Sequence, residues 1–390
     1  MEEDVKYMRR AMELAENGKG WVNPNPLVGA VIVKDGRIIG EGWHERYGGL
    51  HAERNALKNA TEPVEGSVMY VTLEPCCHHG HTPPCTEAII EAGISKVVIG
   101  LTDPNPKVSG KGILILKEAG IEVVLGVCED ELIRQNRVFL KYITTRLPWI
   151  TMKSAMTLDG KIAAFTGDSK WVSGEESRMM VQRMRAENMG IMVGANTVKC
   201  DNPMLTCRLD GDVRQPIRII VDSKAGMPLD TKVLQTANEY RTVIACTNRY
   251  SFERFRDIRK SGAEILVCSK SRNAHVNLKD MLQRLGKMGI DSILLEGGGS
   301  LNYSFLSSGL IDEVFMFIAP KFIGGSEALT PIEGLGIEEM SKAVPLKDVQ
   351  VTTVGDDILI NGRINVYRNY RKDWKGEECC EGSEQREVGD

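Results

Sequence analysis

His51-Ala52-Glu53 and the run Thr72-Leu73-Glu74-Pro75-Cys76-Cys77-His78-His79-Gly80-His81-Thr82-Pro83-Pro84-Cys85 decide the reading of the first third of this chain. The apolar spacing predicts a short helix from about His51 to Ala60, a buried strand over Val68–Leu73, and a second helix from Cys85 to Ala92. His51 and Cys85 then stand at helix starts, and Cys76 follows the strand. One imidazole and two thiolates so placed make a three-ligand zinc site with one position left for water. Helix N-termini also help hold the sulfurs as thiolates. The metal would lower the pKa of that water towards neutrality. Glu53, two residues past the ligand, could take the water's proton and pass it to a leaving amine. A structural zinc knuckle is the competing reading, with Cys77, His78 or His79 as the fourth ligand.

Working outward, the 390 residues suggest two or three domains. With 42% hydrophobic and 26% charged residues, the chain is ordinary for a soluble globular protein, and wholesale disorder is excluded. A balance of 49 basic against 53 acidic residues gives no global basic field for a nucleic acid. No apolar run is long enough to span a bilayer, and the charged first ten residues contain no signal-peptide stretch. The expectation is a cytoplasmic enzyme. Cysteines there are reduced, so the cluster at Cys76, Cys77 and Cys85 reads as ligands or catalytic groups rather than disulfides. The others, Cys128, Cys200, Cys207, Cys246, Cys268, Cys379 and Cys380, read as small hydrophobes or spectators.

The remaining pattern alternates helix and strand. Asp4 is expected to cap a helix that stops before Gly18. A hairpin follows (27–33 and 38–43), and beyond Cys85 come strand 97–101, helix 112–119 and strand 123–125, which completes an α/β layer sandwich by about residue 128. Residues 130–148 read as a helix and a linker ending at Pro148. A second α/β unit has strands near 150–153, 191–193, 217–221, 243–245, 265–267, 293–295 and 314–319, helices over 175–188 and 278–287, and antiparallel strands at 351–353 and 358–367. Within it Ile293-Leu294-Leu295-Glu296-Gly297-Gly298-Gly299-Ser300 is a buried strand emptying into a glycine loop at a helix start, a place suited to phosphate. A tight packing turn explains that motif about equally well. The polar, acidic end from Lys372 reads as a disordered tail.

The order His-x-Glu, Pro-Cys, Cys is that of the zinc deaminases, and it resembles the cytidine deaminase superfamily. Members acting on nucleic acids and free bases usually have the second cysteine three residues after the first, whereas here it is nine. That longer loop, with Asn23-Pro24-Asn25-Pro26-Leu27-Val28-Gly29 upstream and Asp103-Pro104-Asn105-Pro106 downstream, resembles the deaminase half of the bacterial bifunctional riboflavin-biosynthesis deaminase–reductases, the RibD/RibG family. In the second half Lys153 to Ala163, Gly167-Asp168-Ser169-Lys170-Trp171, Gly194 to Val198 and Asp201 to Arg208 resemble the same family's reductase half, which has a dihydrofolate-reductase-like fold. The likeness extends to about residue 368.

The resemblance implies a cytidine-deaminase-like three-layer α/β/α domain over residues 1–146, a dihydrofolate-reductase-like α/β domain over 147–371, and the tail 372–390. It implies one zinc per chain on His51, Cys76 and Cys85, with Glu53 as proton shuttle. Asn25, His44, His78 and His81 would meet a diamino-pyrimidinone ribosyl phosphate. At His81 the family commonly has lysine or arginine, so a phosphate contact there would depend on pH. Taken alone, Asn25 fits a turn-forming role, and His44 a surface position, equally well. In the reductase half Lys153 would polarise or protonate the sugar oxygen. Ser169, Arg185, Leu205, Arg208 and Glu296 would meet the substrate, the arginines suiting its phosphate. Arg178 and Arg183 share a helix with Arg185, and the competing reading is that one of the three is merely solvated. Ala155, Trp171, Thr197, Asp201, Ser223, Gly298, Gly299, Ser300, Leu301, Asn302, Tyr303 and Ser304 would hold NADPH. The expected partners are phosphorylated pyrimidines and further copies of the chain as a dimer or tetramer, with Asn105 reaching a neighbour's pocket; no nucleic acid or membrane is expected. The alternative is a nucleoside or tRNA-type zinc deaminase fused to an unrelated or inactive reductase-like domain.

Overall fold

The structure, a computed structural model, describes residues 2–79, 83–105, 108–249 and 251–364. The expected tail, His81 and the last residues of the expected strand 358–367 lie outside them.

The first sheet is built from β1 (Gly29–Lys34), β2 (Arg37–Trp43), β3 (Val68–Leu73), β4 (Lys96–Leu101) and β5 (Glu122–Leu125), in the order β2-β1-β3-β4-β5. The hairpin β1–β2 and the β1–β3 pair are antiparallel, whereas β3, β4 and β5 run parallel. Helix α1 (Glu2–Glu16) precedes the sheet, and α2 (Ala52–Lys58), α3 (Cys85–Glu91) and α4 (Lys111–Glu118) connect the strands. Two glycines place helices on opposite faces. Gly29 pairs with Trp43, so Gly29 and Gly42 point to different sides. A Cβ at Gly29 would meet Ala11 O of α1 at 1.9 Å, and one at Gly42 would meet the Ala56 amide of α2 at 2.3 Å. The result is three layers, with β1 buried along nearly its whole length.

Helix α1 starts before Asp4, which lies in its first turn and accepts a hydrogen bond from the Tyr70 hydroxyl at 3.1 Å instead of capping. The expected helix over 130–148 is two helices, α5 (Glu129–Gln135) and α6 (Arg137–Thr145). Asn136 breaks them apart: its side chain accepts from Leu27 N at 2.8 Å and donates to Leu27 O at 3.0 Å. A partner 109 residues away leaves no mark in local periodicity.

The second sheet has nine strands: β6 (Trp149–Thr157), β7 (Gly190–Gly194), β8 (Ile217–Val221), β9 (Thr242–Cys246), β10 (Glu264–Val267), β11 (Ser292–Leu295), β12 (Glu313–Ala319), β13 (Lys347–Val354) and β14 (Asp357–Arg363). Their order is β10-β9-β8-β7-β11-β6-β12-β14-β13, parallel from β10 through β12 and antiparallel at β14 and β13. Helices α7 (Glu175–Glu187), α8 (Ala195–Asp201), α9 (Lys232–Gln235), α10 (Phe252–Lys260), α11 (Leu278–Lys287) and α12 (Gly299–Ser307) fill the connections. Successive residues of β7 serve different cores: Met192 joins the cluster with Ile150 and Ile293, while Ile191 and Val193 join the one with Ile220 and Ile244. This is the alternation of a sheet covered on both faces.

The two units meet through α6. Lys141 Nζ donates to Asp312 Oδ2 at 2.6 Å, with both side chains under 10% exposed, and the same oxygen accepts Ile150 N at 2.7 Å. Tyr142 donates to Gly286 O at 3.0 Å. Because both charges are buried, removing one strands the other. Lys141→Met is expected to cost about 3 kcal/mol, read as a lowered urea midpoint. A loss under about 0.5 kcal/mol, the scale of exposed pairs, would show that water reaches the pair.

Candidate active sites

The zinc cluster assembles as its residue order demands. His51 is the N-cap of α2, Cys85 is the first residue of α3, and Cys76 lies three residues past the end of β3. His51 Nδ1 is 3.4 Å from each sulfur, and the three donor atoms all lie within 4.8 Å of one another. The Cys85 amide donates to Cys76 Sγ at 3.3 Å. A hydrogen bond from the Cys85 thiol, assisted by His51, pulls the Cys76 thiol well below its ordinary range. One nitrogen and two thiol sulfurs converging on one point fit zinc. Among the described residues, Cys77, His78 and His79 do not join the cluster, which removes the candidate fourth ligands of a structural knuckle.

Glu53 is 3% exposed on the first turn of α2, and burial pushes its carboxyl up. His44, also buried, lies edge-on to His51 with ring centroids 5.4 Å apart. Its Nδ1 faces Leu50 O at 3.0 Å and its Nε2 faces Asn25 Nδ2 at 3.1 Å. A carbonyl can only accept, so Nδ1 carries the proton and Nε2 accepts from the Asn25 amide. Burial lowers the pKa of His44, in keeping with this neutral form. His44 is therefore buried beside the metal donors rather than at the surface, and the Asn25 side chain is held against it. His78 is exposed on the following loop.

Sequence reasoning missed Glu74 as the brace of this site. It is buried, and its two oxygens accept from the amides of Asp103 (3.2 Å), Gly110 (3.0 Å), Gly112 (3.0 Å) and Ile113 (3.4 Å). The carboxylate thus ties the start of α4 to the strand end that carries Cys76. Its position inside the quoted motif was the available signal.

The second site is a cavity of about 1560 Å³ at the carboxyl ends of β6, β7, β8 and β11, where open parallel sheets take their ligands. Lys153, Ala155, Ser169, Trp171, Arg185, Thr197, Asp201, Arg208, Ser223, Glu296, Gly298, Gly299, Ser300, Leu301, Tyr303 and Ser304 all line it. Two expected residues do not. The Leu205 side chain is buried in the core with Ile191 and Val198, its backbone held at φ 55°. Asn302 is fully buried and donates to Gly297 O (3.1 Å) and Pro331 O (2.9 Å), so it braces the glycine loop from behind. Gly298 caps α12, and among the described residues the amides of Gly299 and Ser300 find no acceptor. A cradle of free N–H groups fits the diphosphate of a dinucleotide.

Arg185 and Glu296 form a bidentate pair at 2.7 and 2.9 Å, each 14% exposed. Burial opposes the Glu296 carboxylate, but Arg185, Lys153 and Arg208 outweigh it and hold its pKa low. Arg185 is thus already matched, and among the described residues the Arg208 guanidinium has no carboxylate partner. Arg178 donates to Ser173 O at 2.7 Å and stacks on Trp171 at 4.6 Å, while Arg183 is exposed, the solvated member of the three. Lys153 has no hydrogen bond among the described residues, and burial lowers its pKa. The far end of the cavity, beyond β8, holds Lys224, Arg249, Arg272, His275 and Lys279. None of these forms an ion pair among the described residues, and Asp222 beside them is turned to Met227 N at 2.8 Å. Lys224, Arg249, Arg272 and His275 come from three separate loops and Lys279 from the first turn of α11, which hid them from a linear reading.

A zinc-site α/β/α unit joined to a parallel-sheet unit with a dinucleotide-sized crevice defines a deaminase–reductase. Comparison with known proteins agrees. Residues 148–360 match the RibD C-terminal domain, and residues 1–101 match the cytidine and deoxycytidylate deaminase zinc-binding region. The riboflavin biosynthesis protein RibD of Actinobacillus pleuropneumoniae is 52% identical over 92% of this chain and 94% of its own length. The RibD structure from Acinetobacter baumannii superposes with a TM-score of 0.84 at 37% identity, covering 94% of this chain and 99% of that one. The Thermotoga maritima diaminohydroxyphosphoribosylaminopyrimidine deaminase/5-amino-6-(5-phosphoribosylamino)uracil reductase gives 0.82 at 39%, covering 93% and 99%. The chain belongs to the RibD family of riboflavin-biosynthesis enzymes.

Removing one ligand tests the first site. Cys85→Ala should lower bound zinc from about one equivalent per chain to well under half, as measured by atomic emission. Retention of a full equivalent would mean that a fourth protein ligand closes the site.

Proposed function

We propose that this chain performs two consecutive steps of riboflavin biosynthesis. The first is zinc-dependent hydrolytic deamination of 2,5-diamino-6-ribosylamino-4(3H)-pyrimidinone 5′-phosphate. The second is NADPH-dependent reduction of the ribosyl side chain of 5-amino-6-(5-phosphoribosylamino)uracil to ribityl. The observation that carries this reading is the pair of complementary sites on one chain: three converging zinc donors beside a buried carboxyl, and a crevice with a glycine-loop cradle beside an unpaired lysine.

Bound on His51, Cys76 and Cys85, zinc supplies the Lewis acidity that makes a water nucleophilic near neutral pH. Glu53 takes the attacking water's proton and delivers it to the leaving amine. Its carboxyl, pushed up by burial, is suited to both accepting and donating. Neutral His44 fixes the Asn25 amide by accepting from its Nδ2, which leaves the Asn25 oxygen for the pyrimidine. Exposed His78 would face the substrate's ribosyl phosphate, a role the family resemblance also implies for His81, which lies outside the described residues.

In the crevice NADPH supplies the hydride. Gly298, Gly299, Ser300, Leu301, Tyr303, Ser304 and Thr197 would hold its diphosphate, and Ala155, Trp171, Asp201 and Ser223 line the same cavity. An acidic residue at a strand end reads the ribose hydroxyls of NAD, whereas cations accommodate the 2′-phosphate of NADP. Asp222 also lines the cavity, with one oxygen engaged by the Met227 amide, and the surrounding Lys224, Arg249 and Arg272 favour NADPH. Arg208 takes the substrate phosphate, Ser169 and the Arg185–Glu296 pair orient the sugar, and Lys153 protonates its oxygen.

The domains divide at 146/147, where α6 ends and β6 begins. Cytoplasmic location suits the free cysteines and the lack, among the described residues, of a helix able to cross a membrane. A dimer or tetramer would cover exposed apolar residues such as Leu335, Met340 and, on the edge strand β13, Val351.

Glu53→Ala should retain zinc and lose deamination by at least about 100-fold, yet oxidise NADPH normally when given the deaminated product. A wild-type chain that oxidises no NADPH with that product would remove the reductase assignment. Combined Lys224→Ala, Arg249→Ala and Arg272→Ala should weaken NADPH binding about tenfold or more and leave NADH binding unchanged, measured by dinucleotide fluorescence. Equal losses for both would place the 2′-phosphate elsewhere.

A further inference from the structure

We propose that Asn23 and Asp291 are positioning residues for deamination, so that the reductase half holds the loop presenting Asn25 to the zinc-site pocket. This rests on the proposed function of that pocket. Asp291 lies at the root of β11 and is 1% exposed. The reductase half fixes it from two sides: Ser292 Oγ donates to its Oδ1 at 2.6 Å, and Trp149 N donates to its backbone oxygen at 2.7 Å. Its remaining oxygen, Oδ2, accepts from Asn23 Nδ2 at 2.7 Å, across 268 residues of sequence. Arg214, with a buried Nη2 lacking a hydrogen bond, adds attraction to the same carboxylate.

From Asn23 the constraint passes to the site in two short steps. Asn25 N donates to Val22 O at 2.8 Å, which closes residues 22–25 into one tight turn. A shift of Asn23 therefore moves Asn25. Asn25 in turn meets His44 at 3.1 Å, and His44 stands edge-on to the ligand His51. The deaminase half holds the loop at its far end through Asn136 on Leu27 and at its start through the Tyr47 amide on Trp21 O at 3.0 Å. Among the described residues it makes no hydrogen bond to the Asn23 side chain. Nearby contacts press the loop's approach onto the reductase half. A Cβ at Gly20 would come within 2.6 Å of Ala186 O on α7, and Arg46 stacks on Trp21 at 4.3 Å while pairing with Asp212 at 2.9 Å.

A contact that merely joined the two halves would, when cut, lower stability and both activities together. A positioning contact should affect substrate binding in one site. Displacing a substrate contact by around an ångström costs up to about 100-fold. In the full-length zinc enzyme, Asn23→Ala should raise the deamination KM about tenfold with kcat little changed. Zinc content and reduction of the deaminated product should stay at wild-type values. Asp291→Ala should reproduce the effect. Asp291→Asn, which keeps an acceptor for Asn23, should restore a near-normal KM. An unchanged deamination KM in Asn23→Ala, or parallel losses in both activities, would overturn the proposal. A wild-type chain that deaminates nothing would instead overturn the reading of the pocket itself.

Discussion

Parallel strand pairing dictates where chemistry can collect in this molecule. Strands that run the same way release their chains at the same edge of a sheet, and every connection must climb back through a helix. In the second sheet this brings the ends of β6, β7, β8 and β11 together, and with them Lys153, Thr197, Ser223 and Glu296. In the first sheet the same rule sends Cys76 off the end of β3 and starts α3 at Cys85, beside the helix start that carries His51. Neither site is a local motif in space; each is the shared rim of several βα units.

Buried charge divides structural from functional roles. Asp312, Glu74 and Arg218 are deeply buried and fully engaged. Asp312 has Lys141 and the Ile150 amide, Glu74 has four backbone amides, and Arg218 reaches five acceptor residues around Thr236 and Thr242. Such groups hold elements in register, because each stranded polar atom would cost a desolvation penalty. Among the described residues Lys153, Arg208 and the basic side chains beyond β8 form no ion pair, and all of them line the crevice. The protein leaves unneutralised the charges that an anionic ligand would meet.

Much of this was legible in the residues. The order His51, Glu53, Cys76, Cys85 gave the donor set because each member sits at a boundary that local patterning marks well. Strand β3 fell at Val68–Leu73 as expected, and the glycine run opened α12 as expected. What escaped depended on contacts between residues far apart in the chain. The break at Asn136 needs Leu27, and the brace at Glu74 needs the amides of the α4 approach. Leu205 and Asn302 stand within segments that line the crevice, yet their side chains turn inward. For Leu205 no period of 2 or 3.6 applies in an irregular loop, and for Asn302, on the buried face of α12, carrying over the whole glycine segment passed over which face of the helix it occupies.

The hydrogen bond from Asn23 to Asp291 also sets an order of maturation during synthesis. Strands β1 to β3, α2 and α3 lie within the first hundred or so residues, so the metal donors can converge while the second sheet is still unmade. On the positioning role proposed above, the loop bearing Asn25 reaches its final place only once Asp291, 268 residues after Asn23, has been made. A nascent chain would therefore acquire its ion early and its substrate grip late, and would be guarded meanwhile against acting before its reducing partner exists.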